Sequence, residues 1–120
     1  MNERKALGDY GETLAAKEYR RGGYRILARG YRSRFGEIDL IAENREYVVF
    51  AEVKLRRNDR FSTAAEAVDA GKRQRIRRTA AIWLSGRDSD KQPRFDVVEI
   101  YTERSRKAGA PEIHIIENAF

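Results

Sequence analysis

Cysteine is absent from this chain of 120 residues, and histidine, methionine and tryptophan each occur once. Without cysteine there can be no disulfide and no thiolate zinc site. With His114 as the sole histidine, a histidine-based triad or metal cluster lacks its parts. No apolar run approaches the ~18 residues that a membrane span needs. The start, Met1-Asn2-Glu3-Arg4-Lys5, leads into a charged amphipathic segment and reads as no secretory signal. The expectation is a cytoplasmic protein with no membrane association. A glycine-rich nucleotide loop is also missing. Gly8-Asp9-Tyr10-Gly11 has GxxG spacing, but a phosphate clamp favours basic residues between the glycines. Close helix packing suits these small residues better.

What the chain has in abundance is charge. Charged residues make up 37% against 41% hydrophobic, where about 25% charged is usual. The core must therefore be small and the surface densely ionic. The length fits one domain spanning residues 1–120, which buries roughly two-thirds of its unfolded surface. A net charge of +6 with pI ≈ 9.8 points to polyanionic partners.

Apolar residues recur at helical spacing through Leu7, Gly11, Leu14, Ala15 and Tyr19, with Gly22-Gly23 as a stop. Residues 24–31 read as a strand with a bend at Gly30. Residues 36–41 and 48–54 follow as the two arms of a hairpin, and residues 56–61 form a basic loop. Thr63-Ala64-Ala65-Glu66 has capping-box spacing for a short helix. Asp69 can cap a longer helix through Leu84, with Ile76, Ala80, Trp83 and Leu84 as its buried stripe and Gly86 beyond its end. Residues 94–101 and 112–118 read as strands joined by a loop. The order α-β-β-β-α-β-β implies an α/β fold with a mixed sheet, since the second helix allows one parallel crossover.

Chemistry concentrates between Gly36 and Lys54. Gly36-Glu37-Ile38-Asp39-Leu40-Ile41 and Val48-Val49-Phe50-Ala51-Glu52-Val53-Lys54 flank the polar tip Glu43-Asn44-Arg45-Glu46. A two-residue loop at Asn44-Arg45 pairs Glu43 with Glu46, so Asp39 faces Phe50 and Glu37 faces Glu52. Alternation then places Glu37, Asp39, Glu52 and Lys54 on one side, and Ile38, Leu40, Val49, Ala51 and Val53 on the other. On residue types alone this is a solvated face where Lys54 pairs with an acid. The setting argues otherwise, because Val48-Val49-Phe50-Ala51 marks an interior strand that turns polar only at its end. Carboxylates at such an end suit a hard cation such as Mg²⁺ or Mn²⁺, with a lysine beside it to orient a water.

Asp39 followed by Glu52-Val53-Lys54 resembles the Asp…Glu-x-Lys core of the PD-(D/E)XK nuclease superfamily, with its restriction endonuclease-like fold of a central mixed sheet flanked by helices. The finer string resembles a small bacterial family of uncharacterised YraN-like proteins within that superfamily. Its matching pieces are Gly8-Asp9-Tyr10-Gly11-Glu12 with Ala15-Ala16, Gly36-Glu37-Ile38-Asp39-Leu40-Ile41, Glu52-Val53-Lys54 with Arg56, and Arg94-Phe95-Asp96-Val97-Val98. The resemblance implies that Asp39 and Glu52 hold Mg²⁺ or Mn²⁺, that the Val53 carbonyl adds an oxygen, and that Lys54 positions the attacking water or stabilises the transition state. Glu12 matches a first-helix glutamate that reaches the site as a ligand or from behind one. Glu37 fits either a place beside the metal or a partner holding Lys54.

Basic residues cluster at Arg20, Arg21, Arg25 and Arg29, at Arg32 and Arg34, at Arg56, Arg57 and Arg60, and at Lys72, Arg73, Arg75, Arg77 and Arg78. The last group leaves the apolar stripe clear and suits phosphate contact, with Arg56, Arg57, Lys72, Arg75 and Arg78 the best set. Tyr31 and Phe35 could stack on bases or pack in the core. The expected function is metal-dependent phosphodiester hydrolysis of DNA by a structure-directed endonuclease, with branched DNA among its substrates and a homodimer by analogy with resolvases. The runner-up is a nucleic-acid-binding or adaptor protein that keeps the nuclease fold without turnover. An RNA-processing nuclease is a third reading.

Overall fold

The computed structural model describes residues 3–56, 68–102 and 110–120, with side chains from residue 6 onward. Two helices enclose a sheet of five strands. Helix α1 (Glu3–Arg21) precedes a meander of β1 (Arg25–Ser33), β2 (Gly36–Glu43) and β3 (Tyr47–Arg56). Helix α2 (Ala70–Ser85) then carries the chain to β4 (Gln92–Tyr101), and β5 (Glu112–Ile116) completes the sheet. Among the described residues, spatial order of the strands follows chain order, and only β3 and β4 run parallel. The parallel pair requires a crossover, and α2 provides it. The expected α/β fold with a mixed sheet is what forms. The short helix expected near 63–66 and most of the loop after residue 102 lie outside the described residues.

Each helix seals one face. Ala15, Ala16 and Tyr19 of α1 pack with Leu40, Ala42, Val49, Ala51, Val98 and Ile100. Ile76, Ala80 and Trp83 of α2 pack with Ile38, Ile41, Val48, Phe50 and Val97. Strand β3 is buried on both faces from Val48 to Ala51, as its unbroken apolar run predicts for a central strand. The buried stripe of α2 is Ile76, Thr79, Ala80 and Trp83, with the expected Leu84 only partly buried, and Asp69 caps the helix by accepting from the Lys72 N–H at 2.8 Å. On α1 the prediction holds from Gly11 onward, whereas Leu7 is 52% exposed. Gly11 is buried against Val53 Cγ1, so it permits close packing, but Gly8 faces open space.

Helix α1 and the C-terminus meet at the end of the sheet away from Lys54. Buried Asp96 accepts from the Tyr19 hydroxyl, from two nitrogens of Arg94 and from the Asn118 N–H, all within 3.0 Å. Burial and the Asp96 charge raise the Tyr19 phenol well above its ordinary value. This buried ion pair is fully hydrogen-bonded, which is the condition for tolerating it. No helix among the described residues is long and apolar enough to cross a membrane.

The hairpin register differs from expectation. Glu43 pairs with Val48 and Leu40 with Ala51, because Asn44 does not sit in the loop. Its N–H donates to the Tyr47 carbonyl, and its side chain accepts from the Glu46 and Tyr47 N–H groups at 2.9 and 2.8 Å. The tip is therefore Arg45-Glu46, and each residue of β2 faces a partner two positions later than predicted. A shift of two preserves side-chain parity.

Alternation itself fails at one place. Ile38 joins the α2-side cluster while Leu40, two residues on, joins the α1-side cluster. The neighbouring strand breaks in step. Arg29 reaches Asp9 and Thr13 of α1, while Tyr31 packs edge-on against Trp83 of α2. Between these residues lie Gly30, at φ +65°, and Asp39, bracketed by the pairs Arg29↔Leu40 and Tyr31↔Ile38. A side chain at Gly30 would be strained, and its Cβ would come within 3.2 Å of Glu37 Oε1. The bend expected at Gly30 is thus present, although the register shift on β1 lies earlier on the strand, between Ile26 and Ala28.

Candidate active site

The break at Gly30 and Asp39 sorts the charged residues. The expected single face bearing Glu37, Asp39, Glu52 and Lys54 does not form. Glu12, Glu37 and Asp39 come together instead, with carboxylate oxygens within 4.8 Å of one another. Glu52 and Lys54, on the regular part of β3, turn toward the start of α2. Asp39 sits between the two groups. The β2–β3 ladder ends at Leu40↔Ala51, and one residue further the Asp39 carboxylate accepts the Val53 N–H at 2.8 Å. That bond ties the carboxylate to the peptide of the residue whose carbonyl the resemblance implicates.

Glu12 projects from α1 and lies 3.7 Å from Arg29 Nε. Burial raises its pKa, and Arg29 opposes the rise. Arg29 is the partner that sequence reading missed. Glu37 pairs with Arg32 at 3.4 Å, while the acid beside Lys54 is Glu52 at 3.9 Å. Glu12 and Asp39, with Leu7, Gly8, Gly11, Val53 and Leu55, line a cleft of about 390 Å³.

On the other side, Glu52 Oε1 is held by Lys72 Nζ at 2.7 Å and lies 3.9 Å from Lys54 Nζ. Its Oε2 is buried and has no hydrogen-bond partner among the described residues. The Glu52 side chain is only 7% exposed. Asp39 registers this crowding, for burial first and the Glu52 charge second push its pKa from 3.8 to about 7. Lys54 is lowered by burial and by the Lys72 ammonium beside it. Burial also works against the Lys72 charge, but the Glu52 carboxylate outweighs it and leaves Lys72 raised.

The basic set predicted for phosphate contact divides. Lys72 is engaged inside the site. Arg56 turns inward, with Nε 3.2 Å from Glu99 Oε2 and a buried Nη2, because Glu99 and Tyr101 on the adjacent parallel strand offer it a half-buried berth. Arg57 lies outside the described residues. Arg75 and Arg78 remain exposed on α2. The Arg78 guanidinium lies over Phe35, which Arg34 also covers. Tyr31 is partly buried and packs against the core. His114 is exposed and pairs with Glu112 at 3.0 Å.

A family model described as "Uncharacterised protein family UPF0102" matches residues 11–100, a span that holds Glu12, Glu37, Asp39, Glu52, Lys54 and Lys72. A UPF0102 protein of Nocardia farcinica is 50% identical over 101 residues, covering 83% of this chain and 80% of its own. One from Symbiobacterium thermophilum is 44% identical over 117 residues, 97% of each chain. Another, from Rhodococcus opacus, is 42% identical over the full length of both.

Proposed function

The chain belongs to the uncharacterised protein family UPF0102, and we propose that it is a metal-dependent hydrolase of phosphodiester bonds in DNA, a structure-directed endonuclease of the PD-(D/E)XK type. One observation carries the reading. Among the described residues, buried Glu52 keeps an oxygen without a partner beside an Asp39 carboxyl raised to about 7. Two desolvated carboxylates that repel each other and leave a lone pair unused fit a hard divalent cation. Asp39 and Glu52 would hold Mg²⁺ or Mn²⁺, with Glu12 and the Val53 carbonyl as further oxygens. Such an ion supplies charge to offset that developing on a phosphoryl oxygen and lowers the pKa of bound water.

The chain's own groups divide the remaining work. Asp39 keeps its second carboxylate oxygen directed by spending the first on the Val53 N–H. Lys54, one quarter exposed and depressed by burial, stands where an attacking water or a phosphoryl oxygen can reach it. Arg75 and Arg78 offer cations for the backbone of a polyanion. Hydrolysis adds water across one P–O bond, with hydroxide going to phosphorus and the proton to the departing oxygen.

Lys72 on Glu52 favours the runner-up, since a carboxylate neutralised by the protein's own lysine also suits a nucleic-acid-binding protein without turnover. Labelled single-stranded, duplex, flap and four-way-junction DNA, and matching RNA, distinguish the two when incubated with Mg²⁺, Mn²⁺ or EDTA. Cleavage of DNA that needs metal and is lost in Asp39→Ala and Glu52→Ala is expected. Binding without cleavage on every substrate and metal would establish the adaptor, and preferential RNA cleavage would establish the third reading.

A further inference from the structure

We propose that Lys72 is a resident cation of the site, a positioning residue that holds Glu52 ready while metal is absent and that the entering metal displaces. The inference rests on the metal site proposed above. Three observations carry it. Lys72 Nζ sits 2.7 Å from Glu52 Oε1, well inside the 3.9 Å separation of Lys54 from the same oxygen. The other Glu52 oxygen is buried and unpartnered, so the ammonium is the near-contact neutraliser of that carboxylate among the described residues. Lys72 also lies in the first turn of α2, its backbone fixed by the Asp69 cap, while its side chain is 32% exposed.

A lysine so placed has a fixed root and a free tip. Its ammonium is a compact charge on four rotatable carbons, able to leave Glu52 for water without moving the helix. A divalent ion on Glu52 makes it leave. Two cations on one carboxylate repel at the short range where site electrostatics are strongest, and Lys54 already crowds the same oxygen. Without metal, the ammonium spares the fold a buried carboxylate with neither oxygen satisfied, the costly case. Lys72 therefore stabilises the empty site and opposes the filled one.

The sign of this effect separates it from a merely structural role. Lys72→Gln should lower the melting temperature in EDTA, because Glu52 loses its cation. Saturating Mn²⁺ should restore the melting temperature to the wild-type holo value. The dissociation constant for Mn²⁺, read from the paramagnetic resonance of the free ion, should fall about tenfold. Arg75→Gln removes one charge from the same helix without touching Glu52, and its Mn²⁺ affinity should stay within about twofold of wild type. Weaker or unchanged Mn²⁺ binding in Lys72→Gln would overturn the inference, as would equal tightening in Arg75→Gln, which marks a general field. Absence of Mn²⁺ binding in wild type and both variants would instead overturn the metal site itself.

Discussion

Replacing Asp39 by asparagine should make the metal-free protein more stable at pH 8. The variant keeps the acceptor for the Val53 N–H and removes a charge that burial and Glu52 both penalise. The folded-state pKa is raised from 3.8 to about 7, so the native state holds the Asp39 proton across a window where the unfolded chain has released it. The penalty is absent below pH ~4, grows as pH rises, and is complete above pH ~7. At about 1.36 kcal/mol per pH unit, the full window corresponds to at most about 4 kcal/mol. Relaxation around the charge leaves a gain of about 2 kcal/mol or more. For a domain of this size, a melting temperature moves about 4 °C per kcal/mol, so Asp39→Asn should melt about 8 °C higher at pH 8 in EDTA. The difference should close by pH 4. Mn²⁺ should reverse the order, since metal at a hundred times its dissociation constant adds about 2.7 kcal/mol to a binder alone. Calorimetric melts at four or five pH values, with EDTA and with Mn²⁺, measure all of this. A variant that melts at or below wild type at pH 8, or a difference that persists at pH 4, would refute the reasoning.

Lys54→Ala should bind Mn²⁺ at least as tightly as wild type by calorimetry yet lose cleavage at least a hundredfold, because a cation beside the ion acts on the transition state. Gly30→Ala should cost about 1–2 kcal/mol in urea unfolding, since φ +65° strains any side chain and the new Cβ crowds Glu37. Arg94→Met should cost about 3 kcal/mol in the same assay, because it strands the fully buried Asp96 carboxylate. Neutralising Arg75 and Arg78 together should lower the salt slope of duplex binding by about one to two units, at roughly 0.9 per phosphate; an unchanged slope would move the DNA path off α2.

Much of this molecule follows from local pattern alone. The stripe Ile76, Ala80 and Trp83 and the cap Asp69 delimit α2, and the double-faced apolar run before Glu52 marks β3 as central. Both signals are short-range, a periodicity and a hydrogen bond three residues long, so the residues themselves specify them. Glu52 and Lys54 stand out in the sequence for the same reason, as polar residues ending an apolar strand. Tertiary structure decided how they meet. The Asn44 side chain, bonding Glu46 and Tyr47, set a register that propensity does not distinguish from its neighbour. Gly30 and Asp39 broke alternation on two strands at once and divided the carboxylates between the helices, an outcome that strand periodicity forbids and only packing against α1 and α2 selects. Lys72 reads from sequence as a cation for phosphate contact on an exposed helix face, because a sequence shows which side of a helix a lysine leaves from but not what lies within reach of its four carbons. Its place on Glu52 exists only because α2 crosses from β3 to β4 with its first turn beside that carboxylate.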